Sequence, residues 1–324
     1  MLRIGILGAA GIAPAAIIRP AARRSDVRVV AVASRWAEPA QQFAERHGID
    51  RSYGDYSGLL EDAEVDLVYN ALPPSEHAKW SIAALEARKH VLCEKPFAMN
   101  TDEAAQMLEA ARSTGYRLIE AFHDRYHPLS GEIDAVKASG ALGEITMLRA
   151  DFSSSNPFDP ASLRHDPRLG GGSLMDLGCY PVHWVRAFMG EEPTVRRASA
   201  TLNPLGADLS VSADMQFPSG ATALLTSAMV ERPQHLNSSL RVTGAEGSLL
   251  VNNLVFPSRG HSITLSKKGL DRTWTVHGLE TYDHQLEAIV RALESGTQLP
   301  TEGTDCLSNM AVIDAIYLAA GVSR

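Results

Sequence analysis

Apolar and polar residues follow one another in short blocks over the first 120 residues or so. Apolar runs typical of buried strands occupy residues 2–7, 27–33, 65–70, 90–93 and 117–120. Segments with the apolar spacing of helices lie between them, at residues 12–23, 38–47, 75–87 and 101–113. Such strand–helix alternation predicts a parallel sheet with helices on both faces. We therefore predict an α/β domain over residues 1–121.

The pattern changes after residue 121. A helix over residues 130–138 and a strand over 145–153 lead into a loop rich in glycine and proline, at residues 156–172. A long apolar helix over 173–189 follows, in which Pro181 predicts a kink. Apolar segments separated by turn signals then occupy residues 207–217, 221–230, 238–243 and 248–252, and helices over 281–294 and 303–321 close the chain. We predict a second, α+β domain over residues 122–324 with a large open, mostly antiparallel sheet.

Composition limits the class of protein. The 324 residues suit two domains, and 45% apolar with 21% charged residues is typical of a globular protein. A net charge of −8 argues against nucleic acid as a partner, and no apolar run approaches membrane-spanning length. Three scattered cysteines and an N-terminus that begins with a strand favour reduced thiols and a cytoplasmic location.

The segment Gly8-Ala9-Ala10-Gly11-Ile12 directly follows the first predicted strand and opens the first helix. Glycine permits a tight turn there, small residues let a pyrophosphate approach the backbone, and the helix N-terminus supplies N–H donors. Ala10 stands where the dinucleotide-binding fingerprint has its second glycine. The context nevertheless predicts a nucleotide-binding Rossmann domain.

The end of the second strand indicates which nucleotide binds. NAD binding calls for an acidic residue there, to accept the ribose hydroxyls. This chain has Ser34-Arg35-Trp36 instead. A guanidinium pairs well with a phosphate, and a serine hydroxyl can donate to the same group. We therefore predict NADP(H), although an ordinary surface role for Arg35 stays open.

Two polar clusters predict the chemistry. Lys95 lies in Glu94-Lys95-Pro96, at the carboxyl end of the strand over residues 90–93, where parallel sheets bind ligands. Asp176 and Tyr180 are four residues apart on an otherwise apolar helix, where polar groups need polar partners. An ammonium such as that of Lys95 would favour the phenolate of Tyr180 and lower its pKa. A purely structural alternative, with Asp176 capping the helix and Tyr180 packed in the core, stays open.

The chain as a whole resembles the glucose–fructose oxidoreductase / inositol dehydrogenase (Gfo/Idh/MocA) family. The resemblance rests on the glycine turn, the Glu94-Lys95-Pro96 segment, the helix ending in Tyr180, and the segments Ala71-Leu72-Pro73, Glu120-Ala121-Phe122 and Arg125-Tyr126-His127-Pro128. Tyr180 makes the chain similar to the branch of dimeric dihydrodiol dehydrogenases, NADP-dependent D-xylose dehydrogenases and glucose–fructose oxidoreductase, since the inositol dehydrogenase branch carries histidine there.

The resemblance implies hydride transfer on a sugar, polyol or cyclic diol. Separately, the segments over residues 207–217 and 221–230 are expected to carry apolar residues on both faces of the open sheet, so we predict a homodimer or larger homo-oligomer formed through that sheet.

The resemblance assigns three catalytic residues: Tyr180 as the acid or base, Lys95 as the base that orients substrate and cofactor, and Asp176 as a pocket residue. Arg125 is a further predicted substrate-binding residue. Further cofactor-lining positions match Asn70, Pro73, His77 and Glu94. An NADP-binding regulator without catalysis, on the same fold, is the alternative function.

One departure from the family lies at His123-Asp124, where an apolar or aromatic pair is common, and it leaves the shape of the substrate pocket open. The run from His123 to His127 also imitates a zinc signature, but Pro128 prevents the continuous helix that such a signature needs. We therefore expect no metal. A second mechanism, in which Lys95 itself takes the proton, is kept beside the one that uses Tyr180.

Overall fold

The structure is a computed structural model that describes residues 1–323. Within that part of the chain there are two compact units. The first comprises residues 1–125 and 282–307, and the second comprises residues 126–281 and 308–323. The predicted boundary between residues 121 and 122 lies close to residue 125, where the chain first passes from one unit to the other. Arg324 lies outside the described residues. The assignment of separate functions to two domains remains a prediction.

The first unit contains a six-stranded parallel sheet in the order β3-β2-β1-β4-β5-β6. Its strands are β1 (Leu2–Leu7), β2 (Val27–Ala33), β3 (Arg51–Tyr53), β4 (Leu67–Asn70), β5 (His90–Cys93) and β6 (Leu118–Glu120). A π-helical turn (Pro14–Ile18) leads into α1 (Arg19–Ala22), and the other helices of residues 1–125 are α2 (Ala37–His47), α3 (Tyr56–Glu61), α4 (Pro74–Glu86) and α5 (Thr101–Thr114). This strand order is that of a dinucleotide-binding Rossmann fold.

The segment 282–307 belongs with the first unit because it completes the edge of this sheet. The Arg117 guanidinium donates to Glu302 Oε1 at 2.8 Å and to Ala292 O at 2.5 Å. The backbone N–H of Glu120 donates to Thr301 O at 2.9 Å, and Thr301 Oγ1 donates back to Glu120 O at 2.8 Å. A continuous second domain from residue 122 onwards would leave Arg117 and the backbone of β6 without those partners.

The second unit contains an eight-stranded mixed sheet in the order β14-β13-β12-β11-β7-β10-β9-β8. Only the β7–β10 pair is parallel, so the predicted, mostly antiparallel sheet is confirmed. The strands are β7 (Ile145–Ser155), β8 (Thr194–Leu202), β9 (Asp208–Gln216), β10 (Thr222–Val230), β11 (Leu236–Gly244), β12 (Gly247–Asn252), β13 (Ser262–Lys267) and β14 (Leu270–Trp274). The remaining α-helices of residues 1–323 are α6 (Pro128–Ala138), α7 (Cys179–Met189), α8 (Thr281–Ser295) and α9 (Thr304–Ala319).

The two faces of the large sheet differ. After the buried Asp208 at its start, β9 buries apolar residues, whereas the alternate, half-buried positions include Ser210, Ser212 and Asp214. On β10 the alternate positions include Leu224 and Ala228. The expectation that both strands carry apolar residues on both faces was therefore wrong for β9, because its polar residues fall on every second position.

The predicted helix over residues 173–189 has two parts. Residues Leu174–Gly178 form a π-helical turn, and regular α-helix begins at Cys179, with Pro181 as its third residue. No helix in residues 1–323 is long and apolar enough to cross a membrane.

Candidate active site

The turn after β1 has the geometry that glycine permits. Gly8 adopts a positive φ of 97°, and its N–H donates to Ala33 O at 2.9 Å. A β-carbon at Gly8 would lie only 3.2 Å from Leu72 Cδ2 and 3.3 Å from Ala71 O. The turn is therefore locked between the ends of β2 and β4, and a larger residue would displace it.

Space for a ligand lies on the other side of this turn. Ala9 and Ala10 are half-buried, Gly11 is exposed with nothing within 4 Å of its β-carbon direction, and Ile12 is 38% exposed. Small residues and open space at the start of a helical segment fit a pyrophosphate. The geometry of the predicted segment is thus compatible with a bound dinucleotide.

The three residues after β2 have different surroundings. Ser34 is buried, and its hydroxyl donates to Trp36 O at 2.6 Å while accepting from Trp36 N at 3.3 Å. Arg35 is exposed. Burial raises the pKa of Tyr56, and the positive charge of Arg35 partly offsets that rise. Arg35 is therefore available to an anionic ligand, whereas the Ser34 hydroxyl proton is already bonded within the turn.

Asn70 and His77 are buried residues that form hydrogen bonds around the loop after β4. Asn70 is fully buried, and its Nδ2 donates to Ser81 Oγ at 3.1 Å. The ring of His77 lies between two carbonyl oxygens, with Nε2 2.8 Å from Leu72 O and Nδ1 2.9 Å from Pro96 O. Burial lowers the pKa of His77, although these hydrogen bonds oppose the shift. The two residues hold the loop in place, while Pro73, at the N-cap of α4, is half-buried.

Lys95 lies at the carboxyl end of β5, as predicted, and is half-buried. The preceding Glu94 accepts a hydrogen bond from the buried phenol of Tyr69 at 2.6 Å. Burial and the charge of Glu94 raise the pKa of Tyr69 well above its ordinary value, so this phenol stays a donor. Tyr69 was not predicted, because within an apolar strand it looks like core material.

His123 and Asp124, at the departure from the family pattern, are both buried. The ring of His123 lies 4.1 Å from that of Tyr282, centroid to centroid. Burial lowers the pKa of His123 to about 3, and the charge of Lys95 adds to the shift. Arg125, half-buried, ends the first unit within a 3-10 turn (His123–Tyr126).

Asp176 and Tyr180 lie in the second unit, on the helical segment that begins at Leu174. The half-buried carboxylate of Asp176 accepts a hydrogen bond from Arg164 Nε at 3.0 Å. Tyr180 is 3% exposed, and its ring packs edge-on against Phe152 at 5.6 Å and beside Trp184 at 6.2 Å. A carboxylate ion pair and a phenol thus occur on one segment, and Arg164 is a polar partner that the sequence did not indicate.

Asp176 does not cap its helix. The N–H of Leu174 donates instead to Asp208, which lies at the start of β9. The alternative in which Asp176 is an N-cap is therefore wrong.

The cysteines and the possible metal ligands are further candidates for a role in a site. All three cysteines are free and buried. Burial raises the pKa values of the Cys93 and Cys306 thiols well above the ordinary range, which makes them poor nucleophiles. Within residues 1–323 no three histidine, cysteine or carboxylate side chains are grouped so that they could hold a metal ion.

Comparison with known proteins gives one consistent result. Residues 2–122 match an oxidoreductase family with an NAD-binding Rossmann fold, and residues 132–250 match the GFO/IDH/MocA C-terminal domain. The chain is 36% identical over 321 residues to D-xylose 1-dehydrogenase (NADP(+)) 2 of Haloferax volcanii, covering 98% of this chain and 97% of that protein. It is also 36% identical over 225 residues to trans-1,2-dihydrobenzene-1,2-diol dehydrogenase of Danio rerio, covering 69% and 66%.

Among solved structures, a 3-ketoreductase from Actinomadura kijaniata in complex with NADP and TDP-benzene superposes with a TM-score of 0.90. It is 27% identical in sequence, over 98% of this chain and 97% of that one.

Proposed function

Since the chain belongs to the Gfo/Idh/MocA oxidoreductase family, we propose that it is an NADP-dependent enzyme that transfers a hydride between nicotinamide and a hydroxyl or carbonyl carbon of a sugar, polyol or cyclic diol. Members of this family are NAD(P)-dependent dehydrogenases and reductases. The choice of NADP and the groups that move the proton are our proposal.

The observation that carries the proposal is the helical segment with an ion-paired Asp176 and, four residues later, a buried Tyr180. Oxidation of an alcohol removes a hydride from carbon and a proton from oxygen. Bound NADP supplies the hydride acceptor. The protein must then supply a group that takes the proton, and a tyrosine can do so when its pKa is lowered. We assign the proton to Tyr180, the positioning of the hydroxyl oxygen to Lys95, and further substrate contacts to Asp176 and Arg125.

The residues of the first unit fit NADP. The turn from Gly8 to Ile12 leaves room at the start of a helical segment, and Arg35 is exposed at the end of the neighbouring strand. A guanidinium there attracts a 2′-phosphate, and a carboxylate that would repel it is missing from Ser34-Arg35-Trp36. The NADP(+) in the name of the Haloferax relative agrees with this choice.

The test is turnover measured by the absorbance of NADPH, with a panel of aldoses, polyols, cyclic diols and dicarbonyl compounds. We expect at least one of these classes to react, and NADP(H) to be preferred over NAD(H). Tight binding of NADP without turnover of any class would instead favour the regulator.

We also propose a homodimer or larger homo-oligomer, formed through the large sheet, in the cytoplasm. The half-buried Leu224 and Ala228 on β10 support a partner on that face, although β9 contributes mainly polar groups there. Light scattering at micromolar concentration tests the assembly, and a monomeric mass would contradict it.

A further inference from the structure

The helical segment that carries Asp176 and Tyr180 begins at a cap supplied from elsewhere in the chain. Leu174 N donates to Asp208 Oδ2 at 2.7 Å, and the hydroxyl of Ser173 donates to the same oxygen at 2.7 Å. The other carboxylate oxygen, Oδ1, accepts from the phenol of Tyr317 on α9 at 2.7 Å. Ser173, which is next to the first helical residue, makes no side-chain cap of its own.

This carboxylate is deeply buried. Asp208 is 1% exposed, Ser173 is fully buried and Tyr317 is 4% exposed. An isolated charge in such a place is very unfavourable, but three donors and the positive end of a helix offset that cost. A serine or threonine at the N-cap could accept from a free backbone N–H at the helix start without the burial of a charge. Asp208 differs from a local cap because it also joins the helix start to the large sheet.

Glycines bring the same segment against the sheet on both sides of Asp176. A β-carbon at Gly172 would collide with the Asp208 carboxylate. A β-carbon at Gly178 would lie 2.7 Å from Leu174 Cδ1 and 3.0 Å from Ser227 Oγ on β10. Ser173 Oγ also lies 3.0 Å from Ser227 Oγ. The turn that carries Asp176 is therefore fixed to β9 at one end and to β10 at the other.

We propose that Asp208, supported by Tyr317, is a positioning residue that sets the register of the helical segment and so the placement of Asp176 and Tyr180. Asp208 itself does not touch the substrate. The catalytic consequence rests on the proposed function, because it assumes that Tyr180 moves the proton. The structural consequence, local loosening of residues 173–180 when the carboxylate is removed, does not depend on it.

The test compares Asp208→Ala with Asp208→Asn and Tyr317→Phe. An asparagine keeps the shape, since its oxygen can accept from Ser173 and Leu174 and its amide can donate to the phenol oxygen. We expect kcat of Asp208→Ala to fall about 10- to 100-fold with the Kd of NADP unchanged, because small displacements of catalytic groups are costly. Asp208→Asn should restore most of the kcat, and Tyr317→Phe should lie between them.

A matched control separates positioning from loss of stability. Ile263→Ala on β13 truncates a fully buried side chain of the same unit, away from residues 172–180. It should lower Tm without a comparable fall in kcat. Hydrogen exchange should show faster exchange of the amides of residues 173–180 in Asp208→Ala, a smaller increase in Tyr317→Phe, and no increase in Ile263→Ala. Equal effects of Asp208→Ala and Ile263→Ala on both measurements would overturn the proposal.

Two results keep the inference and the proposed function distinguishable. If the unaltered protein turns over no substrate, the proposed function fails, and hydrogen exchange alone decides the role of Asp208. If Asp208→Ala does not fold, Tyr317→Phe still tests it, because it removes one of the hydrogen bonds to Asp208. Exchange of residues 173–180 in Tyr317→Phe that is no faster than in the unaltered protein would then contradict the positioning role.

Discussion

The guanidinium of Arg164 lies 3.0 Å from the carboxylate of Asp176. The side chain of Arg164 is 52% exposed and that of Asp176 is 20% exposed, so the pair contributes little to stability. Its effect is local, since it orients a carboxylate that we assign to substrate binding. The backbone of Arg164 is held as well, because Gly172 N donates to Arg164 O at 2.9 Å.

Replacement of Arg164 by alanine should therefore raise KM for the substrate by about 3- to 10-fold, with a smaller change in kcat, because Asp176 loses the cation that orients it. Steady-state kinetics at saturating NADP measures the change. Arg168→Ala is the matched control, since Arg168 is on the same loop and pairs with Asp166 at 2.7 Å. An equal rise in KM for both variants would refute a specific role for Arg164.

Replacement of Tyr180 by phenylalanine removes only the phenol oxygen. If Tyr180 moves the proton, kcat should fall by about 10²–10⁴, the usual range for a general acid or base, with the Kd of NADP intact. Tyr116→Phe, at a half-buried tyrosine of the first unit, controls for loss of a phenol. Near-native kcat in Tyr180→Phe would assign the proton to Lys95.

Lys95→Met should be at least as damaging to kcat as Tyr180→Phe under either mechanism. The substitution removes the ammonium that we assign to holding the hydroxyl oxygen, while it keeps a side chain of similar length. Stopped-flow measurement of hydride transfer separates this effect from slow product release. Unaltered hydride transfer in Lys95→Met would remove Lys95 from the reaction.

Replacement of Arg35 by alanine should abolish most of the preference for NADP. We expect the native protein to bind NADP more tightly than NAD by about 1–3 kcal/mol, the range of a charge-assisted contact to phosphate. The variant should lose that margin and keep its affinity for NAD, as measured by calorimetry. Arg46→Ala, at an exposed arginine of α2, is the control. Because the Ser34 hydroxyl donates to Trp36 O, Ser34→Ala should have the smaller effect.

Acid should destabilise the first unit through His123. Its folded-state pKa of about 3 lies below the unfolded value of about 6.5, so the unfolded chain binds the proton first. The contribution of His123 to the free energy of unfolding is fully present above the unfolded-state pKa, and it is lost as the pH falls towards the folded-state pKa. At about pH 5 the loss is about 2 kcal/mol. The lowered pKa values of His77 and His90 act in the same direction.

Denaturant unfolding at about pH 7.5 and at about pH 5 measures this dependence. In His123→Gln the difference between the two conditions should shrink by about 2 kcal/mol, whatever the substitution does at neutral pH. His277→Gln, at an exposed histidine, is the control. An unchanged difference in His123→Gln would contradict a neutral, buried His123.

The sequence predicted those parts of the fold that local patterns determine. The bounds of β1, β2 and β5 were confirmed because each is a mainly apolar run with at most one charged or polar residue. The strand β3 and helix α3 were missed, since three and six residues are too short for a periodic pattern. The predicted Lys95 does lie at a strand end, and Gly8 does adopt a positive φ.

The residues that the sequence did not indicate act over long separations. Asp208 is 34 residues from Leu174 and 109 from Tyr317, and Tyr69 is 25 residues from Glu94. In the sequence, Asp208 is an acidic residue at the start of an apolar strand and Tyr69 is one aromatic residue in another. Only packing of the strands and helices brings each to its partner, so no local spacing could reveal them.

The return of residues 282–307 to the first unit bears on how this protein can be dissected. A gene fragment that ends at residue 125 would encode all six strands of the parallel sheet, yet β6 would lack the backbone partner at Thr301 and Arg117 would lack Glu302. Exchange of the nucleotide-binding part with that of a relative therefore requires replacement of two segments, with junctions after residues 125, 281 and 307. Alternatively, a permuted gene could join the 282–307 segment to residue 1 through a designed linker.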